Sequence, residues 1–201
     1  MNRFAKELAE CDLAWTDAFV PPQRCAFILD ELQFAFWRPS SVVRAAAGGP
    51  MQWQYSNTRI SSTANEEWFS AELRREIRGI ERRVARLVGR PSECFETWQA
   101  TRYRTGGRFD FHNDAGYWTG DAAGERQFTV LLYLQQPDKG GSTRFRELRK
   151  DVEPVAGRLL VWKNLLPGGE RNPRMIHASA PVRKGNKTVL VTWVRERAFH
   201  K

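Results

Sequence analysis

Two of the three histidines in this 201-residue chain are placed where a mononuclear metal site could use them. His112 is followed two residues later by Asp114, and His177 comes 63 residues after that aspartate. Two imidazoles and one carboxylate form the facial triad of non-haem Fe(II) oxygenases, which leaves coordination positions open for oxygen and a cosubstrate. The pattern therefore predicts an iron site made by His112, Asp114 and His177. The third histidine, His200, is expected to lie in a frayed tail.

A short strand is predicted directly before His112. Side chains two residues apart at a strand end can face the same way, as two ligands of one ion must. On its own a His-x-Asp pair is a weak signal, since it also occurs on ordinary strands and loops. A second feature strengthens it, because Lys187 is a lone cation that opens the apolar run 189–191. A lysine in that position is expected to pair with a buried anion, since an unpaired buried charge is costly.

Composition and length indicate one folded domain over residues 1–201. Hydrophobic residues make up 41% of the chain, which is typical of a globular protein. The N-terminal residues lack the apolar stretch of a secretory signal, and no segment has the apolar length of a membrane span. Three widely spaced cysteines suit reduced thiols, so we expect a cytoplasmic protein.

The net charge of +9 would suit a nucleic-acid partner, but the densest basic run has a structural explanation. Between Glu72 and Arg90 the apolar residues recur at spacings of three and four, which predicts an amphipathic helix. Its arginines then occupy the solvated faces. We therefore expect no nucleic-acid partner and no membrane.

The order of the predicted elements favours an α+β fold. Up to about residue 92 the patterns are mainly helical, with a helix after Pro22, a break at Gly48-Gly49-Pro50, a short strand at 53–55 and the arginine-rich helix. From Phe95 the period changes to two, and strands are predicted near residues 98–103, 127–134, 142–145, 158–162 and 188–194. Helices followed by strands predict helices packed on one face of an antiparallel sheet or barrel.

Beyond these patterns, the second half of the chain resembles the catalytic domain of the prolyl 4-hydroxylases. The resemblance rests on the order and spacing of Tyr103-x-x-Gly106, His112-x-Asp114, Arg126-x-x-Thr129, Tyr133-Leu134, Gly140-Gly141-x-Thr143-x-Phe145, Pro154-x-x-Gly157, His177-Ala178, Pro181-Val182-Arg183-Lys184-Gly185-Asn186-Lys187 and Trp193-Val194-Arg195. It spans roughly residues 95–197, and the segment Arg59-Ile60-Ser61-Ser62 adds weaker support.

The resemblance implies a double-stranded β-helix (a jelly-roll, cupin-like core) over about residues 93–197, supported by a helical region over about 1–92. It implies a dioxygenase that uses Fe(II), 2-oxoglutarate and O2, with ascorbate as a reductant, to hydroxylate an unactivated C–H bond. By the same resemblance, His112, Asp114 and His177 hold the iron. Lys187 pairs with the distal carboxylate of 2-oxoglutarate, and the Tyr103 hydroxyl helps to bind it.

Three further residues are candidates for substrate contact. Arg126 matches an arginine that in the family reaches the peptide backbone beside the target; the alternative is a surface arginine at a strand start. Arg59 and Trp118 are expected to line the mouth of the site. Tyr133 is expected to pack in the core.

The substrate itself is left open by the sequence. It could be an amino acid, a prolyl residue in a peptide, or a related small molecule. Other interpretations are a natural-product hydroxylase with a non-proline substrate, a nucleic-acid demethylase of the same superfamily, and a non-catalytic binding module that retains the fold. The oligomeric state is also open.

Overall fold

Two antiparallel sheets form the body of the protein in a computed structural model that describes residues 3–45 and 51–199. The predicted break at Gly48-Gly49-Pro50 and the predicted tail at His200 lie outside these residues. The helices are α1 Arg3–Cys11, α2 Pro22–Glu31 and α3 Ala71–Val88. The strands are β1 Leu13–Thr16, β2 Arg38–Pro39, β3 Val42–Ala45, β4 Met51–Gln54, β5 Arg59–Ile60, β6 Ser62–Asn65, β7 Gln99–Tyr103, β8 Arg108–His112, β9 Arg126–Gln135, β10 Lys139–Gly140, β11 Thr143–Phe145, β12 Lys150–Val152, β13 Leu159–Lys163, β14 His177–Ser179, β15 Val182–Lys184 and β16 Lys187–Arg195.

The larger sheet has seven strands in the order β1-β13-β9-β16-β7-β6-β2, and the smaller has five in the order β12-β11-β14-β8-β5. Strands β3 and β4 form a separate hairpin, and β10 pairs with β15. This arrangement confirms the predicted mixture of helices and large antiparallel sheets.

The larger sheet is buried on both faces, which explains the uninterrupted apolar runs of its central strands. On β9, Val130 and Leu132 belong to a hydrophobic cluster that contains the buried residues of all three helices. Tyr133 on the same strand belongs to a second cluster, which includes Phe145 and Met175 from the region of the smaller sheet. Since successive side chains of a strand point to opposite faces, one face of β9 shares a cluster with helix residues, and the other shares a cluster with residues from the region of the smaller sheet.

The arginine-rich helix α3 is confirmed. Its buried residues are Leu73, Ile77, Ile80, Glu81 and Val84, so the predicted apolar stripe faces the core. The hydroxyl of Ser70 accepts a hydrogen bond from the Leu73 amide and caps the first turn. Gly89 ends the helix with a φ of 66°, in the left-handed region that glycine adopts without strain. No described helix has the length and apolar character needed to cross a membrane.

The first half of the chain is less helical than the sequence predicts. Strand β1 pairs with β13, β5 pairs with β8, and β6 pairs with β7, so this region contributes strands to both sheets. These strands have only two to four residues, which is too short to show a period of two. Their pairing partners are also distant in sequence, so no local pattern reports them.

Candidate metal centre and cosubstrate pocket

The two predicted histidine ligands form a cross-strand pair on the smaller sheet. His112 ends β8, His177 begins β14, and the two residues lie directly opposite each other in the register. Their ring centroids are 4.2 Å apart. Residues that face each other on antiparallel strands project to the same side, so the pairing brings the two imidazoles together.

Asp114 follows β8 by two residues and completes the cluster. Its Oδ1 lies 3.8 Å from His112 Nε2, and its Oδ2 lies 3.5 Å from His177 Nε2. One ligand atom from each of the three residues lies within 4.8 Å of the others, so the group could hold a metal ion. The structure therefore brings the three predicted ligands to one place.

Each imidazole is oriented by the backbone carbonyl two residues before it. His112 Nδ1 lies 2.8 Å from the Asp110 carbonyl oxygen, and His177 Nδ1 lies 2.9 Å from that of Met175. In a neutral imidazole that donates its Nδ1 proton to a carbonyl, Nε2 is left as the lone-pair nitrogen. Both Nε2 atoms face Asp114, as the ligands of one ion must.

The electrostatics of the cluster favour the protonation states that metal binding needs. Burial and the neighbouring His177 lower the pKa of His112, which keeps its imidazole neutral. Burial opposes ionisation of Asp114, but the two histidines, Arg126 and a hydrogen bond from Thr129 together lower the pKa of its carboxyl group. A neutral imidazole beside an ionised carboxylate is the donor set of an Fe(II) site.

A second cross-strand pair lies on the inner face of the larger sheet. Lys187 on β16 is opposite Tyr103 on β7, and the ammonium lies 5.1 Å from the centre of the tyrosine ring. Both residues line the cavity that also contains His112, Asp114 and His177. One sheet thus contributes the metal-ligand histidines, and the other contributes the predicted cosubstrate residues.

Lys187 is a buried cation, and no carboxylate of the described residues forms a close ion pair with it; the charge of Glu153 acts on it from a distance. It is 1% exposed, and its Nζ donates a hydrogen bond of 2.8 Å to the Ser179 hydroxyl. In the described part of the chain, no carboxylate oxygen forms an ion pair with it at 4.0 Å or less. Burial lowers the pKa of Lys187 to about 7. Since an uncompensated buried charge is costly, the pocket suits an anionic ligand.

The structure places Tyr103 and Tyr133 in different surroundings. Tyr103 is buried in the cavity, and burial raises the pKa of its hydroxyl, which hydrogen-bonds with Ser179 and Ser61. Tyr133 is also buried, and its hydroxyl lies 2.6 Å from Thr143 Oγ1. The hydroxyl of Tyr103 therefore lies next to Ser179, which is the hydrogen-bond partner of Lys187. Tyr133 packs in the core, and its hydroxyl is hydrogen-bonded to Thr143.

Arg59 lies between the inner cavity and the outer clefts, which it helps to line. Its guanidinium donates to Ser61 Oγ at 3.1 Å and to the Ser41 carbonyl at 3.1 Å, and it lies 4.8 Å from the Phe109 ring centre. Burial lowers the pKa of this arginine. The structure thus places Arg59 where the inner cavity meets the outer clefts.

Arg126 is not a surface arginine, so that alternative is wrong. Its guanidinium donates two hydrogen bonds of 2.7 Å to the Glu96 carboxylate and stacks 3.6 Å from the Trp193 ring centre. Arg195 also donates to Glu96, at 2.9 Å. Arg126 lines the outer cleft, and two of its five N–H donors are engaged by Glu96.

This buried network predicts a large effect of the substitution Glu96→Gln. The neutral amide would leave two buried guanidinium groups short of negative charge, so we expect the free energy of unfolding to fall by about 3 kcal/mol. Urea unfolding measures the change. Asp151→Asn is the matched control, because it breaks an ion pair with Arg144 that is about half exposed, and we expect it to cost less than about 1 kcal/mol. Equal costs for the two variants would contradict the prediction.

Trp118 is half-buried and lines the outer cleft together with Arg59 and Arg126. Its indole nitrogen is buried and has no hydrogen-bond partner among the described residues. The rim of the cleft also has exposed aromatic rings at Trp53 and Tyr117. The three predicted substrate residues are therefore brought together at one opening.

Sequence reasoning assigned no role to three residues that support the site. Ser179 accepts the Lys187 hydrogen bond; it is two residues from His177, so the period of β14 could have identified it. Thr129 donates to Asp114, and Asn164 donates to Thr129. Asn164 gave no signal, because only the folded chain brings it near the cluster.

Comparison with known proteins agrees with this geometry. The profile of the 2OG-Fe(II) oxygenase superfamily matches residues 98–195. The alpha-2 subunit of prolyl 4-hydroxylase from Caenorhabditis elegans is 33% identical over 150 residues, which cover 72% of this chain and 27% of that protein. The chain thus spans about a quarter of the length of that relative.

Two solved structures share the fold. A prolyl-4-hydroxylase from Pseudomonas putida superposes with a TM-score of 0.63 at 18% identity, covering 97% of this chain and 98% of that one. A Trichoplax adhaerens prolyl hydroxylase, solved with a peptide fragment of hypoxia inducible factor, gives a TM-score of 0.66 at 16% identity and covers 96% and 87%. The chain belongs to the 2OG-Fe(II) oxygenase superfamily. Within it, the sequence is prolyl 4-hydroxylase-like.

Proposed function

We propose that this chain is an Fe(II)- and 2-oxoglutarate-dependent dioxygenase that hydroxylates a prolyl residue of a peptide. One observation carries the proposal: a buried lysine, which forms no close ion pair with a carboxylate within residues 3–45 and 51–199, faces the same cavity as a His-Asp-His cluster. A metal site alone would suit many reactions. A metal site opposite a buried cation suits a ligand that binds the metal at one end and carries a negative charge at the other.

The residues present fit the iron and the cosubstrate. His112, Asp114 and His177 would hold the metal, while Lys187 and Tyr103 would bind the far carboxylate of 2-oxoglutarate. When bound, iron with 2-oxoglutarate and O2 supplies the oxidising power, and ascorbate is the proposed reductant that keeps the iron ferrous. The contribution of the chain is to orient these groups and to limit the access of water to a largely buried pocket.

A peptide substrate is supported by the space outside the metal cluster. A cleft of about 350 Å³ opens directly over His112 and Asp114, and a neighbouring cleft of about 440 Å³ shares Trp53 and Arg59 with it. Exposed aromatic rings at the rim suit an extended proline-containing chain. The named relatives and structural neighbours are prolyl hydroxylases. We assign Arg59, Arg126 and Trp118 to substrate contact.

The proposal includes the organisation of the whole chain. Residues 1–201 would form one domain, in which the helices of the region 1–92 support a double-stranded β-helix over about 93–197. The shared hydrophobic cluster of the three helices and the larger sheet supports this view. The three free thiols support a cytoplasmic location. We propose no nucleic-acid or membrane partner.

The function is tested by the products. Purified protein with Fe(II), ascorbate and 2-oxoglutarate is expected to release succinate faster when a proline-containing peptide is added. Mass spectrometry should show that the peptide gains one oxygen atom on proline. The matched control is the same peptide with alanine in place of proline, and free proline is the second control. Equal stimulation by the alanine peptide would contradict prolyl hydroxylation, and stimulation by free proline alone would contradict the peptide assignment.

A further inference from the structure

A buried chain of two hydrogen bonds ends on the carboxylate of Asp114. The Thr129 hydroxyl donates to Asp114 Oδ2 at 2.7 Å, and the side-chain amide of Asn164 donates to Thr129 Oγ1 at 2.8 Å. Thr129 is 1% exposed and Asn164 is 3% exposed. Solvent therefore does not compete for these bonds, and each is stronger than it would be at the surface.

The donors and acceptors in this series of hydrogen bonds are fixed by the protons that the three side chains carry. The ionised carboxylate of Asp114 can only accept, so the single hydroxyl proton of Thr129 must point to it. The Thr129 oxygen is then free only to accept, and Asn164 must offer its nitrogen rather than its oxygen. Each group thus has one orientation that satisfies the chain.

Asn164, at the far end of this series of hydrogen bonds, is held in place by backbone hydrogen bonds. Asn164 directly follows β13; its amide donates to the Gln127 carbonyl at 2.8 Å, and its carbonyl accepts from the Asn172 amide at 2.8 Å. Thr129 lies on β9, next to β13 in the larger sheet. The two histidines belong to the smaller sheet, whereas the hydroxyl that donates to Asp114 comes from the larger one.

We propose that Thr129 and Asn164 are positioning residues for the metal site. They would hold Asp114 Oδ2, which lies 3.5 Å from His177 Nε2, in a hydrogen bond, and leave Oδ1, which lies 3.8 Å from His112 Nε2, as the oxygen available to the metal. A carboxylate that binds through one oxygen keeps the remaining coordination positions open for cosubstrate and oxygen. This inference rests on the proposed function, since it presumes that the His-Asp-His cluster binds iron.

Thr129→Val tests the inference, because valine keeps the shape of threonine and removes the hydroxyl. We expect the affinity for Co(II), used in place of iron, to fall about 10- to 100-fold, as is typical when an outer partner of a ligand is lost. The visible absorption spectrum of the Co(II)-loaded protein should also change. Thr129→Ser restores a hydroxyl and should recover both the affinity and the spectrum.

Thr192→Val is the matched control. Thr192 is also fully buried in the larger sheet, but its hydroxyl donates to the Glu96 carbonyl at 2.7 Å. It lies on β16 opposite Val130, whose side chain belongs to the helix-side cluster, so it is on the face away from the metal cluster. The control variant should lose a similar amount of stability and keep the wild-type Co(II) affinity and spectrum.

The outcomes separate the two proposals. If wild-type protein binds Co(II) and Thr129→Val binds it equally well with an unchanged spectrum, the positioning role is wrong and the metal site stands. If Thr192→Val weakens binding as much as Thr129→Val, the effect is one of general stability and the positioning role is also wrong. If folded wild-type protein binds no Co(II), the proposed function fails as well. Should Thr129→Val not fold, Asn164→Ala replaces it, with an expected loss of at least about threefold.

Discussion

Replacement of His177 by alanine is expected to reduce Fe(II)-dependent release of succinate from 2-oxoglutarate to background. His177 is buried and opposite His112, so its loss leaves an imidazole and a carboxylate that cannot hold the metal in the same way. The loss of Co(II) affinity should exceed the roughly 10- to 100-fold that is typical of outer partners, because a ligand itself is removed. Succinate is measured with added Fe(II), and Co(II) affinity by titration of its absorption.

Asn113→Ala is the control for this prediction. Asn113 lies between His112 and Asp114 but has no atom in the His-Asp-His cluster, so its removal should leave Co(II) binding intact. Thermal unfolding of both variants establishes that they are folded. Retention of wild-type Co(II) affinity by folded His177→Ala would show that the cluster is not the metal site.

Lys187→Met is expected to weaken the binding of 2-oxoglutarate by at least about a hundredfold, since a buried ion pair that loses one partner costs about 3–5 kcal/mol. Methionine fills a similar volume without the charge, and Co(II) affinity should remain unchanged. The KM for 2-oxoglutarate should rise while metal binding does not. Lys150→Met is the matched control, because this lysine is at an exposed position of β12, and its KM should equal that of the wild type. An unchanged KM in folded Lys187→Met would show that the lysine does not bind the cosubstrate.

The same lysine predicts a pH dependence. Burial lowers the pKa of Lys187 to about 7, so the ammonium loses its proton as the pH rises above that value. The distal carboxylate requires the charged form, and binding above pH 7 therefore takes up a proton. The KM for 2-oxoglutarate should rise by up to about tenfold per pH unit above 7 in the wild type. Lys187→Arg keeps its charge and should abolish this slope; an identical slope in that variant would contradict the assignment.

Whereas the binding of 2-oxoglutarate is expected to weaken above pH 7, the free energy of unfolding of the protein alone should increase with pH. In the unfolded chain the lysine has its ordinary pKa of 10.5, whereas in the folded chain the pKa is about 7. Between these values the unfolded state binds more protons, so the contribution of Lys187 to stability increases as the pH rises.

Much of the site could be predicted because its residues follow the periods of strands. His112 and Asp114 are two apart at a strand end, and Lys187 opens an apolar strand, so each left a local signal. The ion pair of Arg126 with Glu96 left none, since it joins residues 30 positions apart. The same holds for Asn164, whose contact with Thr129 exists only because β9 and β13 are neighbours. Local sequence patterns predict the strands, whereas the contacts of their side chains depend on which strands pair with one another.

The division of the cavity between two sheets has a consequence for selectivity among diacids. The histidines and the lysine are mounted on opposite walls, and packed sheets keep a nearly fixed separation of about 10 Å. The separation of the two sheets therefore limits the length of a ligand that must contact both of them. The Lys187 side chain crosses this gap, and its Nζ donates to Ser179 on the smaller sheet at 2.8 Å. On the proposed function, a diacid of another length is therefore expected to meet the metal cluster and the lysine less well. On the proposed function, discrimination by length would follow from the distance between the metal cluster and the lysine.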